Sequence, residues 1–369
     1  MAVLGHAVLR GDSEANRLLV EGTNLVTGVS GVMVAHVDET GGVAVSADAF
    51  YRVLQAAVTD VVEVTAEENN LTVKAGRSRW KLPCMEAREH PGMPEAKESS
   101  HTIVFDGEIL RKSLAYSSYA VSKNDGNEAL KGVLFQIQDG TLKTVSTDGR
   151  RLGAVFTEIQ GNFPDFAHVI SQSSVEAILR FLDEADGPVS FRQSSPYLYF
   201  SRVLSPAKEG GGDGVETMVV VKTIHAKFPP YQRIIPDSES IKYVFTAHRS
   251  SFVQSIRRVM AAVKEKGATI GIELHPGKVC LFHSGVIYGS GRDEFEVNVV
   301  HCPDNFAQSD KPFLIQANHE YLLDVLSLLP SERVIFSFID KKSAIMIYGM
   351  VEDKQDHGQL HLVMPIFIH

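Results

Sequence analysis

The feature that most constrains this chain is that it repeats itself. A glycine, an apolar strand, a turn and a second strand begin at Gly5 (GHAVLRGDSEANRLLVEGTNLVTGV). The unit returns at Gly132 (GVLFQIQDGTLKTVSTDGRRLGAVF) and at Gly271 (GIELHPGKVCLFHSGVIYGSG). A second unit, a helix followed by two strands, comes after each copy, from Val45, Ile170 and Ile315. Ser46, Ser173 and Asn318 are the expected N-caps, because a short side-chain oxygen takes up a free N–H of the first turn. The strand pairs alternate apolar and polar residues, as in VVEVTAEENNLTV from Val61, which predicts half-buried hairpins.

A third unit, a strand and an amphipathic helix, precedes the first one twice, from Ile103 and from Tyr243. None lies before Gly5, so the first repeat is expected to lack its initial strand and helix, either because it is naturally short or because the reading frame is truncated. The fold class that follows is α+β: three repeated modules, each full one packing two helices on antiparallel sheets. Domains are expected over 1–95, 101–236 and 241–369, with boundaries in the polar stretches His90 to His101 and Pro236 to Lys242. Ser205 to Gly214 (SPAKEGGGDG) reads as a flexible surface loop; it lacks the order and the following helix of a phosphate-binding loop.

Composition excludes several classes. No run approaches the ~18 apolar residues of a membrane span. The N-terminus has no basic start followed by an apolar core, so a cytoplasmic protein is expected. Cys84, Cys280 and Cys302 are too few and too scattered for a disulfide framework or a metal site. Of 14 histidines none stands in a ligand spacing, so no metal or cofactor is expected. Asp148 in STDG could be a catalytic acid, but a turn aspartate is the favoured reading. GVSGV at Gly28 is a poor nucleophile elbow, and no GxGxxG opens a helix. No catalytic residue is assigned.

The net charge is −9, against a coat of basic surface, yet one segment reverses the sign. A helix is expected from about Ala247 to Lys264, with Phe252, Val253, Ile256, Val259, Met260 and Val263 as its apolar stripe. Arg257, Arg258 and Lys264 fall elsewhere on it, and Arg111, Lys112 and Lys123 accompany the helix after Ile103. Each basic face alone is an ordinary solvated face. Several lining one surface would meet phosphates without reading sequence.

The segments STDGRRL (Ser146 to Leu152), KFPPYQRIIP (Lys227 to Pro236), GRSRWKLP (Gly76 to Pro83) and LVMPI (Leu362 to Ile366) resemble the bacterial sliding clamp family, the beta subunit of DNA polymerase III, and do so in order along the chain. The resemblance implies a head-to-tail homodimer, a ring around duplex DNA with helices inside and sheets outside. It implies no catalysis but the tethering of a polymerase. Partners implied are the DNA polymerase III alpha subunit, a clamp loader, and repair polymerases and mismatch-repair proteins that dock through short peptides. By motif, the peptide pocket would use Leu130, Thr147, Gly149, Arg150, Arg151 and Leu152; Pro229, Arg233 and Ile234; and Asn318, Tyr321, Leu362, Val363, Met364, Pro365 and Ile366. Arg151 and Arg233 could hold peptide carbonyls or acidic groups. The DNA-facing set would be Arg111, Lys112, Lys123, Arg257, Arg258 and Lys264.

The sequence departs from the family in places. Phe367, Ile368 and His369 replace its usual arginine and leucine, FPDY becomes FPPY at Pro230, and SKNDGNEA before Leu130 lacks aromatic residues. Two alternatives to a working clamp stand: a paralogue, from a phage, plasmid or resistance locus, that keeps the pocket but alters the ring, and a hydrolase or transferase on an α+β scaffold.

Overall fold

Alternation of apolar residues dominates the chain, and it folds mostly into antiparallel strands. The computed structural model describes residues 2–96, 102–123, 126–159, 163–183, 187–204, 215–265, 267–285, 289–304, 306, 312–352 and 354–367. The proposed loop at Ser205 to Gly214 therefore lies outside the described residues.

The elements follow one another as three variations on a theme. The first comprises β1 (His6–Asp12), β2 (Arg17–Thr23), β3 (Thr27–Val34), β4 (Gly41–Ser46), α1 (Ala47–Ala56), β5 (Glu63–Glu67), β6 (Asn70–Ala75) and β7 (Ser78–Glu86). The second opens with β8 (Thr102–Asp106) and α2 (Gly107–Ser118) and continues through β9 (Gly132–Gln138), β10 (Thr141–Thr147), β11 (Arg151–Glu158), β12 (Phe166–Ser171), α3 (Gln172–Asp183), β13 (Pro188–Ser194), β14 (Tyr197–Leu204) and β15 (Val215–Ile224). The third has β16 (Tyr243–His248), α4 (Arg249–Val259), β17 (Thr269–His275), β18 (Lys278–Gly285), β19 (Gly289–Glu296), β20 (Asn298–His301), β21 (Phe313–Asn318), α5 (His319–Leu328), β22 (Arg333–Phe338), β23 (Ile345–Val351), β24 (Lys354–Gln355) and β25 (Gln359–Val363).

Two compact units result, Met1–Arg111 with Ser173–Thr223, and Lys112–Gln172 with Ile224–His369. In the first, one continuous ladder runs β8–β13–β14–β15–β3–β2–β1–β4, and β7 joins β4 to the β5–β6–β7 hairpins. In the second, a ladder runs β12–β9–β10–β11–β25–β23–β22–β16–β20, with β21–β17–β18–β19 beside it. The second unit's core is aromatic at its centre: Phe336 stacks on Phe245 at 5.0 Å and on Phe252 at 4.5 Å between ring centroids. The apolar face of α4, with Phe252, Val253, Ile256 and Val259 buried, supplies the helix side of this core.

Several sequence expectations change. Ser46 caps α1 and Asn318 caps α5, each accepting a first-turn N–H. Ser173 instead lies inside the first turn of α3, which starts at Gln172. The helix expected to reach Lys264 ends at Val259. There Gly291 of β19 presses against the helix end, so closely that a Cβ on it would sit 2.4 Å from the Val259 carbonyl oxygen. The hairpin from Val61 is not half-buried on both strands: β6 buries Leu71, Thr72 and Val73, whereas all five residues of β5 are exposed. The reason is its outer edge. β13 carries β8 there and β22 carries β16, but among the described residues no strand pairs with β5 on that side. On the same repeat Val29, Tyr51 and Val61 are exposed at 50%, 60% and 76%. Among the described residues no helix is long and apolar enough to cross a membrane, and no cluster could hold a metal ion. Cys84 and Cys280 are buried, which raises both thiol pKa values.

Candidate functional site: the turn between β10 and β11

The sequence Thr147-Asp148-Gly149-Arg150 makes a tight turn by local chemistry alone. Asp148 Oδ1 accepts the N–H groups of Arg150 and Arg151, each at 2.9 Å. Thr147 Oγ1 accepts the Gly149 N–H at 3.1 Å and donates to the Arg151 carbonyl at 2.7 Å. Gly149 has φ +80°, the left-handed region in which glycine is least strained. Asp148 is thus a turn residue, as its sequence context suggests.

Arg151 leaves this turn bound to two carboxylates. Its Nε lies 3.0 Å from Asp148 Oδ2, and Nη1 donates to Asp324 on α5. Its guanidinium sits 4.5 Å from the Tyr321 ring centroid and 5.5 Å from that of Tyr119. Burial works against its charge, and hydrogen bonding and attraction from Asp324 and Asp148 more than offset this, so its pKa is raised. Arg151 is therefore held in place from two sides, by Asp148 through Nε and by Asp324 through Nη1.

Behind Arg151 lies a buried polar relay that the sequence does not flag. The Tyr119 hydroxyl donates to the Leu152 carbonyl at 3.0 Å and stands 3.1 Å from His361 Nδ1. With its proton given to Leu152, the tyrosine oxygen must accept, so His361 Nδ1 carries the hydrogen. His361 Nε2 is buried with no partner among the described residues, and burial pushes the imidazole pKa down to about 4. Desolvation likewise raises the Tyr119 pKa. Gly153 makes room for the tyrosine: a Cβ there would meet Tyr119 Cε1 at 2.5 Å.

The register between β11 and β25 brings the C-terminal segment to the turn. Arg151 pairs with Val363 and Leu152 with Leu362, and the Met364 N–H donates to the Arg150 carbonyl at 2.8 Å. Leu362 and Val363 are fully buried and belong to the core. Met364, Pro365 and Ile366 are half-buried, and Phe367 and Ile234 are exposed. Tyr231 of the connector after β15 packs on Leu152, Met346, Leu360 and Leu362, flanked by Phe228 and Met364. Pro229, half-buried, accepts the Tyr231 N–H at 2.7 Å, while Arg233 is exposed.

The structure thus joins Thr147, Gly149, Arg150, Arg151, Leu152, Tyr321 and Leu362 to Met364 into one patch with an apolar floor. Asn318 serves as the cap of α5. Leu130, half-buried, bonds through its backbone to Asn127 and Ser122. The members that sequence reasoning missed are Tyr119, His361 and Asp324. Only Asp324 carried a signal, lying one helical turn from Tyr321 on α5.

The basic residues fare unevenly. Arg258 is held by Asp293 through Nε at 3.0 Å and Nη2 at 2.7 Å, and Arg111 lies 3.9 Å from Asp183. Arg257 is exposed in the last turn of α4, and Lys264 is exposed beyond the helix end. Lys112 is exposed on α2, and Lys123 is exposed beyond its end.

Comparison with known families decides the identity. The model of the DNA polymerase III beta subunit N-terminal domain matches residues 6–94, and that of the C-terminal domain matches residues 232–366. The chain belongs to the DNA polymerase III beta subunit family, the beta sliding clamps. A beta sliding clamp of Chlamydia trachomatis is 25% identical over 370 residues, covering 100% of this chain and 81% of that protein. One of Pseudomonas aeruginosa is 26% identical, covering 96% of this chain and 89% of that protein. Among solved structures, the Pseudomonas aeruginosa DNA polymerase III subunit beta superposes with a TM-score of 0.86 at 24% identity, covering 100% of this chain and 93% of that one. The Thermotoga maritima beta subunit gives 0.84 at 22% identity, covering 100% and 92%. The family is non-catalytic: its members serve a DNA polymerase in replication as processivity factors.

Proposed function

We propose that two copies of this chain close head to tail around duplex DNA and tether a replicative polymerase to it. One observation carries the reading: the chain makes the same joint twice, in the same register. The β2–β3 and β10–β11 hairpins close at Thr23↔Gly28 and Thr147↔Leu152. Across the joints, Gly28 faces Val220 of β15 and Leu152 faces Leu362 of β25. A third copy of each half is left over. β19 repeats β11, because Gly291 meets the Val259 carbonyl as Gly153 meets that of Ser117. β7 repeats β15, because β6 follows β5 across a two-residue turn as β14 follows β13.

Joining β19 of one copy to β7 of another in that register sets Ser290 against Lys81, Arg292 against Arg79 and Glu294 against Arg77. The helix-facing sides of both strands then coincide, whereas a one-residue slip would turn one of them over. Glu294, which Lys278 also holds at 2.9 Å, meets Arg77 in the turn just before β7, next to Arg79 and Lys81 on the strand, and Arg292 already has Glu273 at 2.8 Å. A joint that repeats head to tail closes into a ring when its rotation closes.

Three domains follow this reading, 1–95, 101–236 and 241–369. The exposed basic residues Arg257, Lys264 and Lys123, without an ion pair among the described residues, supply weak phosphate contacts that permit sliding. The patch around Leu152, Tyr231 and Met364 takes short peptides from the DNA polymerase III alpha subunit, the clamp loader, and repair and mismatch-repair proteins. Its rim residues Pro229, Arg233, Ile234 and Ile366 contact the peptide, and its methionines adapt to different sequences. A Pseudomonas aeruginosa sliding clamp is solved bound to griselimycin. The setting is the cytoplasm. The exposed Val29, Tyr51 and β5 edge favour a second reading, a paralogue that binds peptides without closing a ring.

The test is covalent. The double variant Arg77→Cys with Glu294→Cys places thiols opposite one another across the joint, position 77 standing in the turn just before β7, within the ~4.4–6.8 Å Cα separation that a disulfide accepts. Oxidation yields a covalent dimer on a non-reducing gel if the joint is right. A chain that stays monomeric at every concentration and never cross-links supports the paralogue instead.

A further inference from the structure

The first unit contains a cavity of about 340 Å³, within the size of small-ligand sites. It sits where β2, β3, β14 and β15 meet under the segment Met93–Ala96. Its strand positions match those of the second unit's apolar patch. There Val145, Ala154 and Leu360 form one row across β10, β11 and β25, with Met346 next to it, and all are closed over by Tyr231. Here the same row reads Glu21, Ser30 and Met218, with Tyr199 in the place of Met346. Val145 and Ala154 thus have polar counterparts in Glu21 and Ser30, and the cavity lies over them.

Two observations point to an occupant. Tyr199 lines the cavity, is only 2% exposed, and its hydroxyl has no hydrogen-bond partner among the described residues. A buried hydroxyl left in this state costs free energy that a bound group would recover. The charges are also unbalanced: among the described residues Glu21, Glu95 and Glu216 line the cavity against one cation, Arg192. Glu21 is met from outside by Arg10 Nε at 3.4 Å. Glu95 and Glu216 are exposed at the mouth. Leu19, Val32, Met93 and Met218 give the rest an apolar lining, and Met93 is seated closely over Gly28, where a Cβ would lie 3.2 Å from its side chain.

We propose that this cavity is a second peptide site, which receives a basic side chain flanked by apolar residues, the cation between Glu95 and Glu216 and a backbone polar group on the Tyr199 hydroxyl. It is distinct from the patch on the second unit and does not depend on ring closure.

Methyl resonances test it on the full chain, which has nine methionines. Met93 and Met218 report this cavity, and Met346 and Met364 report the other patch. The probe is N-acetyl-Leu-Arg-Leu-amide, with N-acetyl-Leu-Glu-Leu-amide as its counterpart. The arginine peptide should shift Met93 and Met218 saturably, and Glu216→Gln, an exposed change that leaves the fold intact, should weaken this at least threefold. Tyr199→Phe should weaken it as well while folding at least as stably as the parent. Shifts confined to Met346 and Met364, equal shifts with the glutamate peptide, or binding untouched by Glu216→Gln would each overturn the proposal.

Discussion

Acid should loosen the second unit through one side chain. His361 is wholly buried, its Nδ1 hydrogen is committed to Tyr119, and its Nε2 faces no acceptor among the described residues. A second proton on the ring would have to be buried without a partner, which is why its pKa falls from 6.5 to about 4. The unfolded chain, with an ordinary imidazole, binds more protons below pH 6.5 than the folded one. Stability is therefore complete above 6.5 and is lost as pH falls from there towards 4. The full effect is on the order of 3 kcal/mol, and about 2 kcal/mol of it is spent between pH 8 and pH 5. The assay is urea unfolding of the parent and of His361→Gln, which does not titrate, at pH 8, 6.5 and 5. The parent's stability relative to the variant should fall by about 2 kcal/mol across that range. A difference that stays constant with pH would refute both the assigned tautomer and the unpaired Nε2.

Three further perturbations test other parts of the account. Gly153→Ala forces a methyl to within 2.5 Å of Tyr119 Cε1 and should cost about 1–3 kcal/mol in urea unfolding; wild-type stability would mean the tyrosine can move aside. Glu294→Arg puts a cation opposite the basic edge of β7, at about 1 kcal/mol per joint and two joints per ring, so dimer dissociation should rise about 30-fold by sedimentation. Reversing Arg77 and Arg79 to glutamate in the same chain should restore the dimer, and failure to do so would discard the register. Ile234→Asp, at a side chain 44% exposed, should leave stability unchanged and weaken polymerase-tail peptides at least tenfold by fluorescence anisotropy; unaltered binding would move the pocket elsewhere.

Where the physics is local, the sequence was legible. The Thr147-Asp148-Gly149 turn could be read directly, because its hydrogen bonds stay within four residues. The repeated strands and the caps at Ser46 and Asn318 were legible for the same reason. What escaped depends on partners far along the chain. The hold of Asp324 on Arg151 was hidden because the two are 173 positions apart, and Tyr119 meets His361 across 242. The alternation of β5 promised a buried face, but burial is decided by what covers the strand. The helix from Ala247 kept its periodicity past Val259, yet α4 ends there, where Gly291 of β19 packs against the Val259 carbonyl. The polar cavity beside Tyr199 left no trace in spacing, since Glu21, Ser30 and Met218 come together only through strand register.

The central claim is topological, and the most direct measurement is retention on DNA. The protein, loaded by its clamp loader, would be placed on a nicked circular plasmid and separated from free protein by gel filtration at moderate salt. The account predicts that it elutes with the circle and is released when a restriction enzyme cuts the circle once. Equal retention on circular and linear DNA, or none on either, would contradict encirclement.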